Sequence, residues 1–539
     1  MTTTLQPAPR ADVPRTRRAT HRRWLFHPIV VATAAAAILH LLWAKYAATD
    51  GGDLAAQYAW TRFVGRHPGS AYDFAWYGGM HPMSYSVISP YLMALIGVRT
   101  AAVIAGTLSA ALVALLLVRS GVSRPLAPAL WAAFSLSCNA VSGRVTFALG
   151  VFFGLAAVTV VFVTRGPRAL RAVAIIGLGV LATLASPVAG LFLEVVAGAL
   201  FLTRRRPAAY AVAAGPPVVV AGSALLFPFQ GVQPFPWYLV VAPVVASVAL
   251  VAFAPREWRT VRLGAVVYAI GTLLTWVIPS QVGSNVDRMA LLFGGTALLA
   301  AALHRRTAVL FVAFAATVVS QVARPVFDLV NTAATVGHTT SLVGELRRVR
   351  ADQSRVEVVP ERTHLEASEL ASQINLARGW NRQADVQRNA LFYDGTLNPD
   401  TYHAWLRRWA VGYVVLPSAQ PDWQAIDEAR IVRSGQPWLQ PVWHNRHWRL
   451  YRVTDAVPLA DPPATVNRAL DNELDVTVPA TGSVLLRVPW SPWLAVLDGR
   501  PGCLAKAGDW TRLYAPTPGH YRIGAPYRLP RGSSCPSSS

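Results

Sequence analysis

Pro28-Ile-Val-Val-Ala-Thr-Ala-Ala-Ala-Ala-Ile-Leu-His-Leu-Leu-Trp-Ala-Lys-Tyr-Ala-Ala48 runs straight into Thr49-Asp-Gly-Gly-Asp-Leu-Ala-Ala-Gln-Tyr58. The first segment is long and apolar enough to cross a hydrocarbon core about 30 Å thick. The second sets Asp50 and Asp53 where that span emerges. A carboxylate at a membrane boundary costs stability unless it has a task there. An aromatic, Gly- and Pro-rich segment from Trp60 to Pro90 follows before the next long apolar run.

The rest of the chain agrees with a membrane reading. Of 539 residues, 53% are hydrophobic and 14% charged, and the mean hydropathy is +0.36. A soluble protein of this size is less apolar. The net charge of +22 comes largely from Arg clusters in short loops. Those clusters read as topology signals under the positive-inside rule, not as a nucleic-acid surface. The first 26 residues form a Thr-, Pro- and Arg-rich tail expected to be disordered in the cytoplasm. The apolar run after it is too long for a signal-peptide core and reads as an uncleaved span.

About eleven apolar runs follow one another between residues 27 and 323: Pro28–Ala48, Thr100–Val118, Leu126–Asn139, Val145–Val163, Ala169–Ser186, Val188–Thr203, Ala208–Phe227, Trp237–Ala254, Leu263–Ile278, Met289–Leu303 and Ala308–Val322. Every second loop is basic, as at Arg119 and Arg124, Arg165 to Arg171, Arg204 to Arg206, Arg256 to Arg262, and Arg305 and Arg306. This alternation makes 170–203 turn back near Ser186-Pro187, and 125–164 near Asn139–Arg144. An odd count keeps the N-terminus cytoplasmic and puts residues after Arg324 outside. The expectation is a multi-pass plasma-membrane protein.

Residues 324–539 are a different material, richer in charge, Trp, Pro and Asp. An α/β region is expected over 324–440. Phe327–Arg350 reads as a helix leaving the membrane, Asp400–Trp409 as a helix capped by Asp400, and Arg355–Pro360 and Gly412–Pro417 as strands. Short alternating strands with regular turn signals predict a β-sandwich over 441–531, then a disordered tail over 532–539. Cys503 and Cys535 are available to pair if this part is extracytoplasmic. The compact stretch Ala377–Gly395 reads either as a carbohydrate-binding loop or as plain surface.

The loop over 49–99 is the only long one in the membrane region, and long loops in compact domains are usually functional. Asp53 has two compatible readings: N-cap of a helix over Leu54–Val64, or a group that takes up a proton. Asp50 shares them. Within the spans, His40 and Glu194 read chiefly as structural polar sites between helices. His67 and His81 lack a metal-ligand spacing, so no metal is invoked.

The order Gly52-Asp-Leu54, then Trp76-Tyr-Gly-Gly-Met-His-Pro82, then a Pro-containing helix before the second span resembles the GT-C superfamily of membrane glycosyltransferases. The likeness is to YfhO-type proteins and to actinobacterial polyprenyl-phosphate-sugar-dependent enzymes. Gly283-Ser-Asn-Val-Asp-Arg288, and Val488-Pro-Trp-Ser-Pro-Trp-Leu-Ala-Val-Leu-Asp-Gly499 in the β region, add to it. The resemblance implies sugar transfer from a lipid-linked donor to a cell-envelope glycan or lipid, with no cofactor required. It gives Asp53, or Asp50, the general-base role. It gives Arg288 the donor phosphate, with Asn285, Trp76, Tyr77 and His81 on the substrate. Arg288 also has a plain reading, pairing with Asp287. A transporter is the rival class, though no internal repeat is visible. A non-catalytic accessory protein of the same fold is another.

Overall fold

The computed structural model describes residues 26–48, 52–330, 338–497 and 499–536. Most of the expected disordered N-terminal tail, Asp50, Asp498 and the middle of the expected helix over Phe327–Arg350 lie outside the described residues.

Helices carry the first 330 residues: α1 Pro28–Leu42, α2 Leu54–Arg66, α3 Ser89–Ile96, α4 Val98–Arg119, α5 Leu126–Val141, α6 Val145–Phe162, α7 Arg168–Ala185, α8 Pro187–Leu202, α9 Arg206–Ala213, α10 Gly215–Leu226, α11 Trp237–Phe253, α12 Arg259–Val277, α13 Gly295–Arg305 and α14 Ala308–Val330. Among the described residues, eight helical stretches are long and apolar enough to cross a membrane. Three shorter apolar helices, α5, α8 and α11, fall on the other three expected runs. The chain is thus a membrane protein, mostly helical, with sheets toward its C-terminus.

Local chemistry explains the turns. Pro187 starts α8 after an extended Ser186, because proline suits a first helical turn and disfavours helix before it. The last carbonyls of α7 are then met by the first loop: Ser86 Oγ donates to Ala185 O at 2.8 Å and Ser89 Oγ to the same oxygen at 3.0 Å. The expected run over Ala208–Phe227 falls on one stretch of membrane-crossing length, Arg206–Leu226, in which α9 and α10 meet at Ala214. Two prolines at 216 and 217 remove backbone donors there.

Beyond the bundle lie α15 Thr339–Arg348, β1 Arg355–Val358, α16 Leu365–Leu370, α17 Arg382–Arg388, α18 Pro399–Arg408, β2 Val411–Pro417, α19 Ile426–Arg433, β3 Leu439–His444 and β4 Trp448–Val453. The four strands make one sheet in the order β1-β2-β4-β3. β1 is parallel to β2, and the other pairs are antiparallel. β2 is buried along its whole length, as its unbroken apolar run requires of a central strand. The expected boundary at 441 therefore moves: β3 and β4 pair back onto β2, so the α/β region runs to Val453. Helix α18 is capped by Asn398, not Asp400. The Asn398 side chain accepts from two backbone amides, and Thr401 closes a reciprocal capping box.

The remaining strands are β5 Thr465–Ala469, β6 Glu473–Val478, β7 Gly482–Pro489, β8 Ala495–Val496, β9 Cys503–Ala507, β10 Trp510–Ala515 and β11 Gly519–Gly524. They form two sheets, β7-β10-β9 and β5-β6-β11-β8, whose inward residues share one buried cluster. Cys503 and Cys535 are disulfide-bonded. The tail expected to be disordered from 532 is instead pinned as far as this bond: Leu504 N–H donates to Ser533 O at 2.8 Å, and Cys535 N–H to Leu504 O at 3.0 Å.

The first loop holds the parts together. Ala71 N–H donates to Ala525 O at 2.7 Å, and Phe74 N–H to Asp471 O at 2.7 Å, tying it to the β region. Gly78 N–H donates to Leu376 O at 3.1 Å, tying it to the α/β region. Arg355, fully buried, donates to Gly78 O at 3.0 Å, to Trp409 O at 2.9 Å and to Arg487 O. Burial brings its guanidinium down to about 9.

Candidate functional site

Gly52 has φ +47°, and a Cβ there would strike the carbonyl oxygen of Ser142. Only glycine lets the chain pass so close. Asp53 N–H then donates to that carbonyl at 3.0 Å. The contact sets the start of α2 against the α5–α6 turn, which ends on Arg144.

Asp53 occupies the N-cap position of α2, yet its side chain makes no capping hydrogen bond. The carboxylate turns instead to two cations. Its Oδ2 lies 3.4 Å from a terminal nitrogen of Arg288 and 3.9 Å from Nε of Arg144. The guanidiniums are 15% exposed and the carboxylate 31%. Arg288 follows the tight turn Gly283–Asp287, and its guanidinium lies 5.3 Å over the Phe147 ring. The expected Asp287–Arg288 pairing gives way to Asp53 as the hydrogen-bond partner of Arg288.

Both arginines also line a small cavity of about 10 Å³ with Cys138, Asn139, Ser142 and Gln321. Planar guanidinium donors of this kind suit phosphate or carboxylate oxygens.

One helical turn after Asp53, Gln57 is fully buried. Its amide donates to Tyr85 Oη at 2.6 Å and accepts from Thr146 N–H at 3.3 Å. Burial pushes the Tyr85 phenol up, and the Asp53 charge adds to this. From the α/β region, Trp380 donates its indole N–H to Gly52 O at 2.8 Å, its ring stacked 3.6 Å from His364. Tyr85, Arg144 and Trp380 escaped the sequence reading. Only the turn glycine at 143 and the basic residue beside it gave a signal for Arg144.

The other expected substrate residues go elsewhere. Asn285 is buried on the turn before Arg288 and does not line the cavity. Trp76 and Tyr77 are fully buried and offer no ring face to a substrate. Trp76 packs against Trp60 at 5.6 Å and lies over Gly379. Tyr77 Oη accepts from Asn381 N–H at 3.0 Å, and Arg388 donates to Tyr77 O at 3.0 Å. His81 is buried between Ala71 O, 2.7 Å from its Nδ1, and Ser491 Oγ, 3.1 Å from its Nε2. Burial lowers it to about 4. These three residues join the first loop to the regions above it.

The stretch Ala377–Gly395 is neither plain surface nor an open sugar site. Arg378 is buried with Glu357 and Glu428, and Tyr402 Oη donates to Glu428 at 2.9 Å. Burial alone would lower Arg378, but the two carboxylates hold it above its ordinary value. Trp493 is core, stacked 5.3 Å from Phe227 with its indole donating to Leu226 O at 2.8 Å, so it docks the β region on the end of α10. Among the described residues, no group of three or more His, Cys, Asp or Glu side chains is placed to hold a metal.

Comparison with known proteins adds one point. Residues 461–539 match a domain of unknown function, DUF8823, which begins just before β5. No curated protein matches the chain.

Proposed function

We propose that this chain is a membrane glycosyltransferase of the GT-C kind, moving a sugar from a polyprenyl-phosphate donor to an extracytoplasmic acceptor. In this reading the eleven apolar helices all cross the plasma membrane. The N-terminus is cytoplasmic, the region after α14 lies outside, and the two C-terminal sheets pack as a sandwich. The observation that carries the proposal is the carboxylate of Asp53, which makes no capping hydrogen bond and instead meets Arg144 and Arg288, two residues that line a small cavity.

The chemistry follows from that arrangement. The donor phosphate takes the two guanidiniums and so releases Asp53 from its ion pair. The acceptor hydroxyl attacks the anomeric carbon, and Asp53 accepts its proton. The bond from anomeric carbon to phosphate oxygen breaks, and the arginines stabilise the charge left on the polyprenyl phosphate.

The test is Asp53→Asn assayed with a polyprenyl-phosphate sugar. Transfer is expected to vanish while thermal stability holds, because the Asn side-chain oxygen can still accept from Arg288 but is no base. Retained transfer sinks the base assignment. A second reading, an accessory protein of the same fold, draws on the Asp53–Arg288 pair as a structural tie between α2 and the turn before α13. It predicts that Asp53→Asn loosens the fold and that no donor is consumed.

A further inference from the structure

Trp423 and Ile426 are large apolar side chains that the α/β region leaves exposed, at 63% and 46%. They stand three residues apart where a short turn leads into α19. Trp423 is stacked on Phe327, ring centroids 5.4 Å apart. Phe327 closes the last apolar stretch of membrane-crossing length, Ala308–Phe327. Arg362 lies 4.2 Å over the other partner of that stack, the Phe327 ring. A ring stacked on the final residue of that apolar stretch stands level with its end.

The same end of the bundle carries exposed aromatics. Trp237 and Tyr238 open α11, and Trp276 stands near the end of α12. The loops at those helix ends touch the α/β region, since Gln383 Nε2 donates to Gln281 O at 3.1 Å and Val232 N–H donates to Gln383 O at 3.3 Å. Trp and Tyr concentrate at the lipid–water boundary because their apolar ring and polar N–H or O–H are both satisfied there. A soluble surface has no such reason to expose Trp beside Ile.

We infer that the α/β region is itself seated in the lipid headgroup layer through Trp423 and Ile426, extending the aromatic belt of the spans onto the domain above them. The occupant of this surface is the bilayer interface. The wedge restrains the region from tilting away from the bundle, so the joint at Gly52 and Trp380 is held from a second point. The inference is independent of any sugar-transfer activity.

The test is a spin label at Ile426→Cys in a Cys138→Ala background, reconstituted in phospholipid vesicles. Reference labels are placed at Tyr238→Cys on the belt and at Ser434→Cys just past the far end of α19. Collisions with oxygen are expected to dominate over collisions with a water-soluble nickel chelate at 426, as at 238, with the order reversed at 434. Trp423→Ser is expected to move the 426 label toward the water-exposed pattern without changing the 238 label. Nickel access at 426 equal to that at 434 overturns the inference, and so does an unchanged 426 label in Trp423→Ser.

Discussion

Trp380 donates its indole N–H to the carbonyl of Gly52 at 2.8 Å, across a sequence separation of 328 residues. The residue before Asp53 is thus held by the α/β region on one side and by Ser142 on the other. A loop anchored at both faces keeps the carboxylate toward Arg144 and Arg288 instead of folding it back onto its own helix.

Trp380→Phe keeps an aromatic ring beside His364 and removes this hydrogen bond together with part of the indole face. The cost is about 1 kcal/mol. Hydrogen exchange at the amides of Asp53 to Gln57 is expected to accelerate while that of β2 stays unchanged. Unaltered exchange in α2 would mean the bond does not hold the loop.

His81 is neutral in the fold. Ala71 O can only accept, so Nδ1 carries the proton and Nε2 accepts from Ser491. Its folded value of about 4 lies below the ordinary 6.5. The stability it contributes is therefore present above pH 6.5 and lost as pH falls toward 4, by at most roughly 3 kcal/mol. His81→Asn is expected to flatten this part of the stability–pH curve, read as thermal midpoints at pH 7.5, 5.5 and 4. A parallel curve for the variant would refute the assignment. Asp73, pushed up by its own burial, has the opposite slope, which is why the comparison is between variant and parent.

The buried Arg378 sits between Glu357 and Glu428. Arg378→Met strands two carboxylates and is expected to cost about 3–5 kcal/mol. Replacing all three by apolar residues of similar volume is expected to recover most of that loss in a denaturant titration. No recovery in the triple variant would show that the network does more than cancel its own charges.

Some of this architecture was legible in one dimension. Apolar run length and the alternation of Arg clusters located the helices, and a turn at Ser186-Pro187 follows from proline sterics alone. The junction of α9 and α10 at Ala214 leaves no mark in hydropathy, which is blind to a missing donor. Asp53 stood out as a carboxylate at a membrane edge, and the GT-C resemblance set Arg288 at the same site, but Arg144 lies far along the chain and periodicity has no term for such a pair. Trp76, Tyr77 and His81 are set on the substrate by the GT-C resemblance, which carries no information on burial. Their burial converts them into packing.

What the sequence determined by itself was material: which segments are too apolar to leave lipid, and which are polar enough to fold beside it. That follows from transfer free energies, which are properties of residues taken one at a time. What only the tertiary structure decided was company. Asp53 is an N-cap by position and an ion-pair partner by geometry, because Ser142 and Trp380 hold Gly52 where two distant guanidiniums outcompete the backbone amides of α2.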